Sequence, residues 1–180
     1  MTAGLENKGS AKSAEYLHHQ ARLVWTAALF VVAAWAAAII TAPLLAAFGF
    51  NGISGPIYYF FSHLCHQMPG RSFHTLGHQF AVCSRCSGVY FGLLAAFLAY
   101  PLLRKMEEIE PLPRIWLFLA LIPIGADWSL GIFGIWENTH LSRFITGLIL
   151  GGACAVYIIP ALVEIARNTR IGGVLARSFR

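Results

Sequence analysis

Between Leu23 and Phe48 the chain carries no charged side chain and is dense in Ala, Val, Leu and Trp. Three further apolar windows follow, from about 82 to 103, 115 to 135 and 144 to 165. A helix needs roughly 20 mostly apolar residues to cross the hydrocarbon core, since its backbone polar groups must be paired internally there. Four windows of this length predict an all-α membrane protein, a four-transmembrane-helix bundle with spans at about 23–48, 82–103, 115–135 and 144–165. The first is too long for the ~7 to 15 apolar residues of a signal peptide and reads as a retained anchor.

Between the first two spans the pattern changes. Phe50-Asn51-Gly52-Ile53-Ser54-Gly55-Pro56 is turn-rich, and Ile57-Tyr58-Tyr59-Phe60-Phe61-Ser62-His63-Leu64 is aromatic and uncharged. That octet is too short to span and suits a helix lying at the interface, where tyrosine keeps a wet end. Residues 65–82 are polar and hold Pro69 and Gly70. They are expected to form an ordered extracytoplasmic Cys/His loop or re-entrant segment. Residues 1–12 read as a disordered cytoplasmic N-terminus, with Ser13 as a helix cap. Residues 13–166 read as a single transmembrane domain, and 167–180 as a basic tail on the anionic inner leaflet.

Composition agrees with a lipid solvent: 57% of the 180 residues are hydrophobic and 12% charged, against about 25% charged in soluble domains. The net charge of +5 is explained by position. Lys8, Lys12 and Arg22 precede the first span, Arg104, Lys105 and Arg114 separate the second and third, and Arg167, Arg170, Arg177 and Arg180 follow the fourth. By the positive-inside rule these mark the cytoplasmic side of the cytoplasmic (inner) membrane, with both termini inside and the connections 49–82 and 136–142 outside. Arg71, Arg85 and Arg143 fall on the opposite connections or their helix ends. A nucleic-acid role is not expected.

Small residues recur every fourth position at Gly88, Gly92 and Ala96 and at Gly147, Gly151 and Ala155. Such stripes let helix backbones approach closely in lipid. Cys154, within the fourth window, reads as a small packing residue.

Candidate chemistry gathers outside the membrane. Cys65-His66 and Cys83-Ser84-Arg85-Cys86 place three thiols and an imidazole within 22 residues, with His63, His74 and His78 in the same stretch. Cys-x-x-Cys at a helix start is half of a tetrahedral zinc site, which Cys65 with His66 or a later histidine completes. Cys65, His66, Cys83 and Cys86 are therefore the candidate metal ligands, with zinc as the cofactor. The adjacent pair requires a turn at Cys65, because neighbouring side chains point apart.

Asp127 lies in the third window, where a carboxylate is costly and marks a functional site by default. Glu137, Asn138 and His140 fill the short outer turn and Arg143 opens the fourth window. In a catalytic arrangement Asp127 or Glu137 serves as general base, Arg143 holds an anionic group and the metal activates water acting on an amphiphilic or lipid substrate. The plainer alternative is an Asp127–Arg143 ion pair locking two helices together.

Two other readings stay open. Thiols outside the cytoplasm are exposed to oxidation, and a helix N-terminus beside Arg85 favours thiolate, which is similar in outline to the quinone-coupled disulfide-forming membrane enzymes. The chain could also be a non-catalytic subunit, meeting membrane-protein partners through its small-residue stripes. The strings Cys-His-Gln-Met-Pro-Gly-Arg-Ser-Phe at 65–73 and Val-Cys-Ser-Arg-Cys-Ser-Gly-Val-Tyr-Phe-Gly at 82–92, with Asp127 and the segment 137–147, resemble the small membrane proteins called domain of unknown function 2085. The resemblance covers roughly 55–160 and implies a polytopic membrane protein, without an activity. The family pattern has Glu-Ser-Thr-Asn where this chain has Glu137-Asn138-Thr139-His140, so no role for Asn138 or His140 carries over.

Overall fold

The structure, a computed structural model, describes residues 3–104, 110 and 112–178. It is an all-α membrane protein. Helix α1 (Ala3–Ala47) is followed by the short α2 (Asn51–Ser62), a two-stranded hairpin of β1 (His74–Thr75) and β2 (His78–Gln79), then α3 (Ser84–Leu103), α4 (Ile115–Ile132) and α5 (His140–Ser178). Among the described residues, four stretches are long and apolar enough to cross a membrane: His18–Ala47, Ser84–Leu103, Ile115–Ile132 and His140–Asn168. Each carries one proline, at Pro43, Pro101, Pro123 and Pro160. An apolar surround tolerates prolines that would break a helix in water. Phe30, Leu102, Phe118 and Ile122 are largely exposed, as a lipid-facing surface requires.

Two ends differ from expectation. Helix α1 begins at Ala3, within the segment expected to be disordered and ahead of the Ser13 cap; Leu5, Glu6, Lys8, Ala11 and Lys12 are good helix formers and extend the span's helix backwards. At the other end α5 continues to Ser178, so the backbone of the basic tail is helical that far. Lys105 to Ile109 of the middle connection, and the side chains of Lys8, Lys12, Arg170, Arg177 and Arg180, lie outside the described residues.

α3 and α5 are the closest pair. A Cβ built on Gly88 would lie 2.1 Å from the Phe144 carbonyl oxygen, on Gly92 2.2 Å from that of Leu148, on Gly147 2.3 Å from that of Arg85, and on Gly151 2.0 Å from that of Val89. Both stripes thus face each other within the chain, backbone against backbone. α1 crosses this pair and is held at both ends. Near one end Gln20 Nε2 donates to the Ala166 carbonyl at 3.0 Å and Trp25 Nε1 to that of Phe97 at 3.0 Å. Towards the other end Trp35 packs edge-on against Phe60 and Phe61 and tilts on Tyr90.

α1 stops at Gly49, whose φ of +81° closes a Schellman motif: Phe50 N–H donates to the Leu45 carbonyl at 2.8 Å and Gly49 N–H to that of Ala46 at 3.0 Å. α2 begins at once, so the turn-rich segment is mostly helix. The buried Ser54 hydroxyl donates to the Ala42 carbonyl at 3.0 Å and pins α2 to the end of α1. With 12 residues, about 18 Å of helix, α2 cannot cross a core of ~30 Å.

The polar segment after α2 is held by side chain to main chain bonds. Gln67, at φ +48°, donates to the carbonyls of Tyr58 and Ala81, both at 2.8 Å, and receives the Gln79 amide at 3.2 Å. The hairpin turns on Leu76 and Gly77, at φ +52° and +79°. Positive φ at both central residues is the type I′ geometry that matches strand twist. Phe73 docks the segment on the start of α5 by packing against His140 and Phe144.

Candidate thiol centre and arginine cavity

The fold converges on the start of α3. Cys65 is buried at the exit of α2, its N–H bonded to the Phe61 carbonyl at 2.9 Å. Cys83 occupies the N-cap position of α3 in an extended conformation, and Cys86 lies in the first turn. The three sulfurs lie within 4.8 Å of one another, and the Cys83 N–H points at Cys65 Sγ from 3.2 Å. Hydrogen bonds from the Cys65 thiol first, then from the Cys86 thiol, hold the Cys83 thiol far below its ordinary pKa, with burial opposing them. The turn at Cys65 required by the sequence is supplied by the end of α2 and the left-handed Gln67.

His66 is not brought into this cluster. It is exposed, and lines a cavity of about 300 Å³ shared with Cys65, Arg71, Cys83 and Cys86. His63 turns away, its Nδ1 2.9 Å from the Tyr59 carbonyl, and His74 and His78 are exposed on the hairpin. His140 is engaged elsewhere. Ser84 Oγ lies 2.9 Å from the Arg71 carbonyl and 2.7 Å from His140 Nδ1. A carbonyl only accepts, so the single hydroxyl proton goes to Arg71 and His140 Nδ1–H donates to Ser84. The Ser84–His140 contact is therefore a tie between α3, α5 and the loop, and the serine is not poised as a nucleophile.

Asp127 is buried on α4, and its ion pair is with Arg85 on α3. This corrects the Asp127–Arg143 alternative: Arg85 faces α4 from the first turn of α3, whereas Arg143 opens into a cavity. Asn138 reinforces the pair by donating to the Asp127 carbonyl at 2.6 Å and to Oδ2 at 3.2 Å. Gly131 makes room, since a Cβ there would lie 2.6 Å from Asn138 Oδ1. α4 closes at Gly134, φ +65°, with Ile135 N–H bonded to the Leu130 carbonyl at 3.1 Å, which swings Trp136, Glu137 and Asn138 back over the site.

A second cavity, of about 640 Å³, lies between this turn and the thiols. Arg71, Arg85, Arg143 and Glu137 line it, with Cys83 and Cys86 in its wall. The two cavities share Arg71, Cys83 and Cys86, so the thiol cluster stands between them. Arg71 and the aromatic wall were not singled out from sequence. The one signal for Arg71 was its departure from the positive-inside pattern.

The architecture and site define a four-span membrane protein with a thiol cluster and an arginine-lined cavity at one end of its bundle. The chain belongs to the family described as "Predicted membrane protein (DUF2085)", whose model matches residues 65–157. The match starts at Cys65 and takes in all three clustered thiols, Arg71, Arg85, Asp127, Glu137 and Arg143. An uncharacterized protein of Methanocaldococcus jannaschii is 42% identical over 113 residues, 62% of this chain and 72% of that protein. An uncharacterized protein of Methanothermobacter thermautotrophicus is 38% identical over 96 residues, 53% of this chain and 85% of that protein. No solved structure matches.

Proposed function

We propose that Cys65, Cys83 and Cys86 bind one zinc ion on the extracytoplasmic face of the cytoplasmic membrane, making the chain a metal-binding membrane protein. The observation that carries this reading is the three sulfurs within 4.8 Å of one another. Tetrahedral zinc with Zn–S bonds of about 2.3 Å places its sulfurs roughly 3.8 Å apart, within reach of small side-chain rotations. The odd number also counts against a purely structural disulfide, which would leave one thiol over. The fourth position falls to His66 after a rotation across the shared cavity, giving a closed structural site, or it stays open to the cavities. Bound zinc in an open site would supply Lewis acidity and a water of lowered pKa. Within that reading Glu137 is the carboxylate that lines the larger cavity, while Asp127 orients Arg85 and Arg143 presents a cation. The orientation rests on the positive-inside distribution of the sequence.

The test is elemental analysis beside free-thiol counting on protein purified in mild detergent. The expected result is about one zinc per chain in the wild type, lost in Cys83→Ser, with the thiols protected but unoxidised. Metal-free protein with two thiols recovered only after reductant would overturn the zinc centre in favour of disulfide exchange, for which the low-pKa Cys83 would be the attacking thiolate.

A further inference from the structure

We propose that the larger cavity receives the phosphate group of a phosphate-bearing amphiphile whose chains leave past Trp128, Ile132 and Trp136 into the bilayer. The inference goes beyond the zinc site and stands on different residues.

Ten of the thirteen basic residues sit in the three clusters assigned to one side of the membrane. The remaining three, Arg71, Arg85 and Arg143, come from the loop, α3 and α5, and the fold brings all three to the same cavity. Arg85 is bound to Asp127. Arg71 and Arg143 have no carboxylate within 4.0 Å among the described residues. A guanidinium cannot shed its proton and offers five N–H donors in a planar fork, which fits phosphate oxygens two at a time. Glu137, the one acid in the lining among the described residues, is exposed, so its charge is screened by water and salt. The volume of about 640 Å³ lies within the range of small-molecule sites.

The other wall is apolar and open. Trp128, Ile132 and Trp136 are 58%, 61% and 61% exposed and belong to the end of α4 and the turn after it. Two tryptophans at the end of a span sit where aromatic belts meet the headgroup layer. A cationic inner half joined to an apolar half at that level fits a ligand with an anionic head and an acyl tail. A soluble anion would make no use of the second half.

The test measures binding to the full-length protein in a neutral detergent by equilibrium dialysis with radiolabelled dioctanoyl phosphatidic acid. Inorganic phosphate and dioctanoylglycerol serve as competitors, and zinc is measured on the same samples. The expected result is saturable binding that each competitor displaces at least tenfold less effectively than unlabelled probe. Arg71→Gln with Arg143→Gln should weaken it tenfold or more. Trp136→Ala, an exposed substitution that leaves the fold intact, should weaken the phosphatidic acid without changing competition by phosphate. Equal competition by inorganic phosphate would overturn the amphiphile, and equal competition by dioctanoylglycerol would overturn the phosphate. Absent binding in protein that retains zinc defeats this inference alone, whereas binding in metal-free protein defeats the zinc centre alone.

Discussion

Asp127 shows how one residue can be marked correctly by sequence and given the wrong partner. A single carboxylate in an apolar window demanded a cation, and the chain offered Arg143 at the near end of the next span. The cation it found, Arg85, lies 42 residues earlier, and only the packing of both α3 and α4 against α5 brings the two together. Removing one member of a buried ion pair leaves an uncompensated charge at a cost of about 3 to 5 kcal/mol, while replacing both by apolar groups costs far less. Asp127→Ala should therefore destabilise the protein by about that amount, and Arg85→Leu with Asp127→Leu should recover most of it, read by reversible unfolding in detergent. A double variant no better than the single one would mean that Asp127 acts through its bond from Asn138 and not through Arg85. The thiols, by contrast, were legible: Cys83 and Cys86 are fixed by helix spacing. Cys65 needed only a turn, and that turn depends on Gln67, whose left-handed backbone and paired amide bonds nothing in the sequence announces.

Among the elements, the spans were readable because twenty apolar residues have few alternatives in a bilayer, and the stripes because small residues at every fourth position share a helix face. Gly151 and Gly152 make a sharp test of that packing. A Cβ on Gly151 would lie 2.0 Å from the Val89 carbonyl oxygen, whereas one on Gly152 meets nothing closer than 3.9 Å. Gly151→Ala should lower stability by about 1 to 3 kcal/mol through overpacking, and Gly152→Ala should leave it unchanged or raise it slightly. Thermal unfolding in detergent separates the two, and equal shifts would contradict the α3–α5 contact. The hairpin was not legible. Its two-residue strands are too short for an alternating pattern, and Leu76 at positive φ conceals a turn that Asn-Gly would have declared. The start of α2 was hidden by glycines that read as loop, although Ser54 anchors them.

In the whole molecule, the proposed topology rests on the distribution of charge, with the clustered cations inside and the cavity lined by Arg71, Arg85 and Arg143 outside. On that topology, Cys-substituted positions at Thr2 and Phe179 in a Cys-free background should react with a membrane-impermeant maleimide only after lysis, and one at Leu76 should react in intact cells. The reverse pattern would place the site in the cytoplasm, where thiols stay reduced without a metal. The same organisation leaves α4 tied to the rest through α5, the Arg85–Asp127 pair and the Asn138 bridge, so the wall of the cavity formed by α4 is its least embedded part.

X-ray absorption at the zinc edge on the purified protein tests directly whether the three thiols hold a metal, because it reads the ligand set. The expected spectrum is three sulfurs at about 2.3 Å and one nitrogen or oxygen at about 2.0 to 2.1 Å. A zinc surrounded only by nitrogen and oxygen, or a sulfur count that survives in Cys65→Ser, would contradict it.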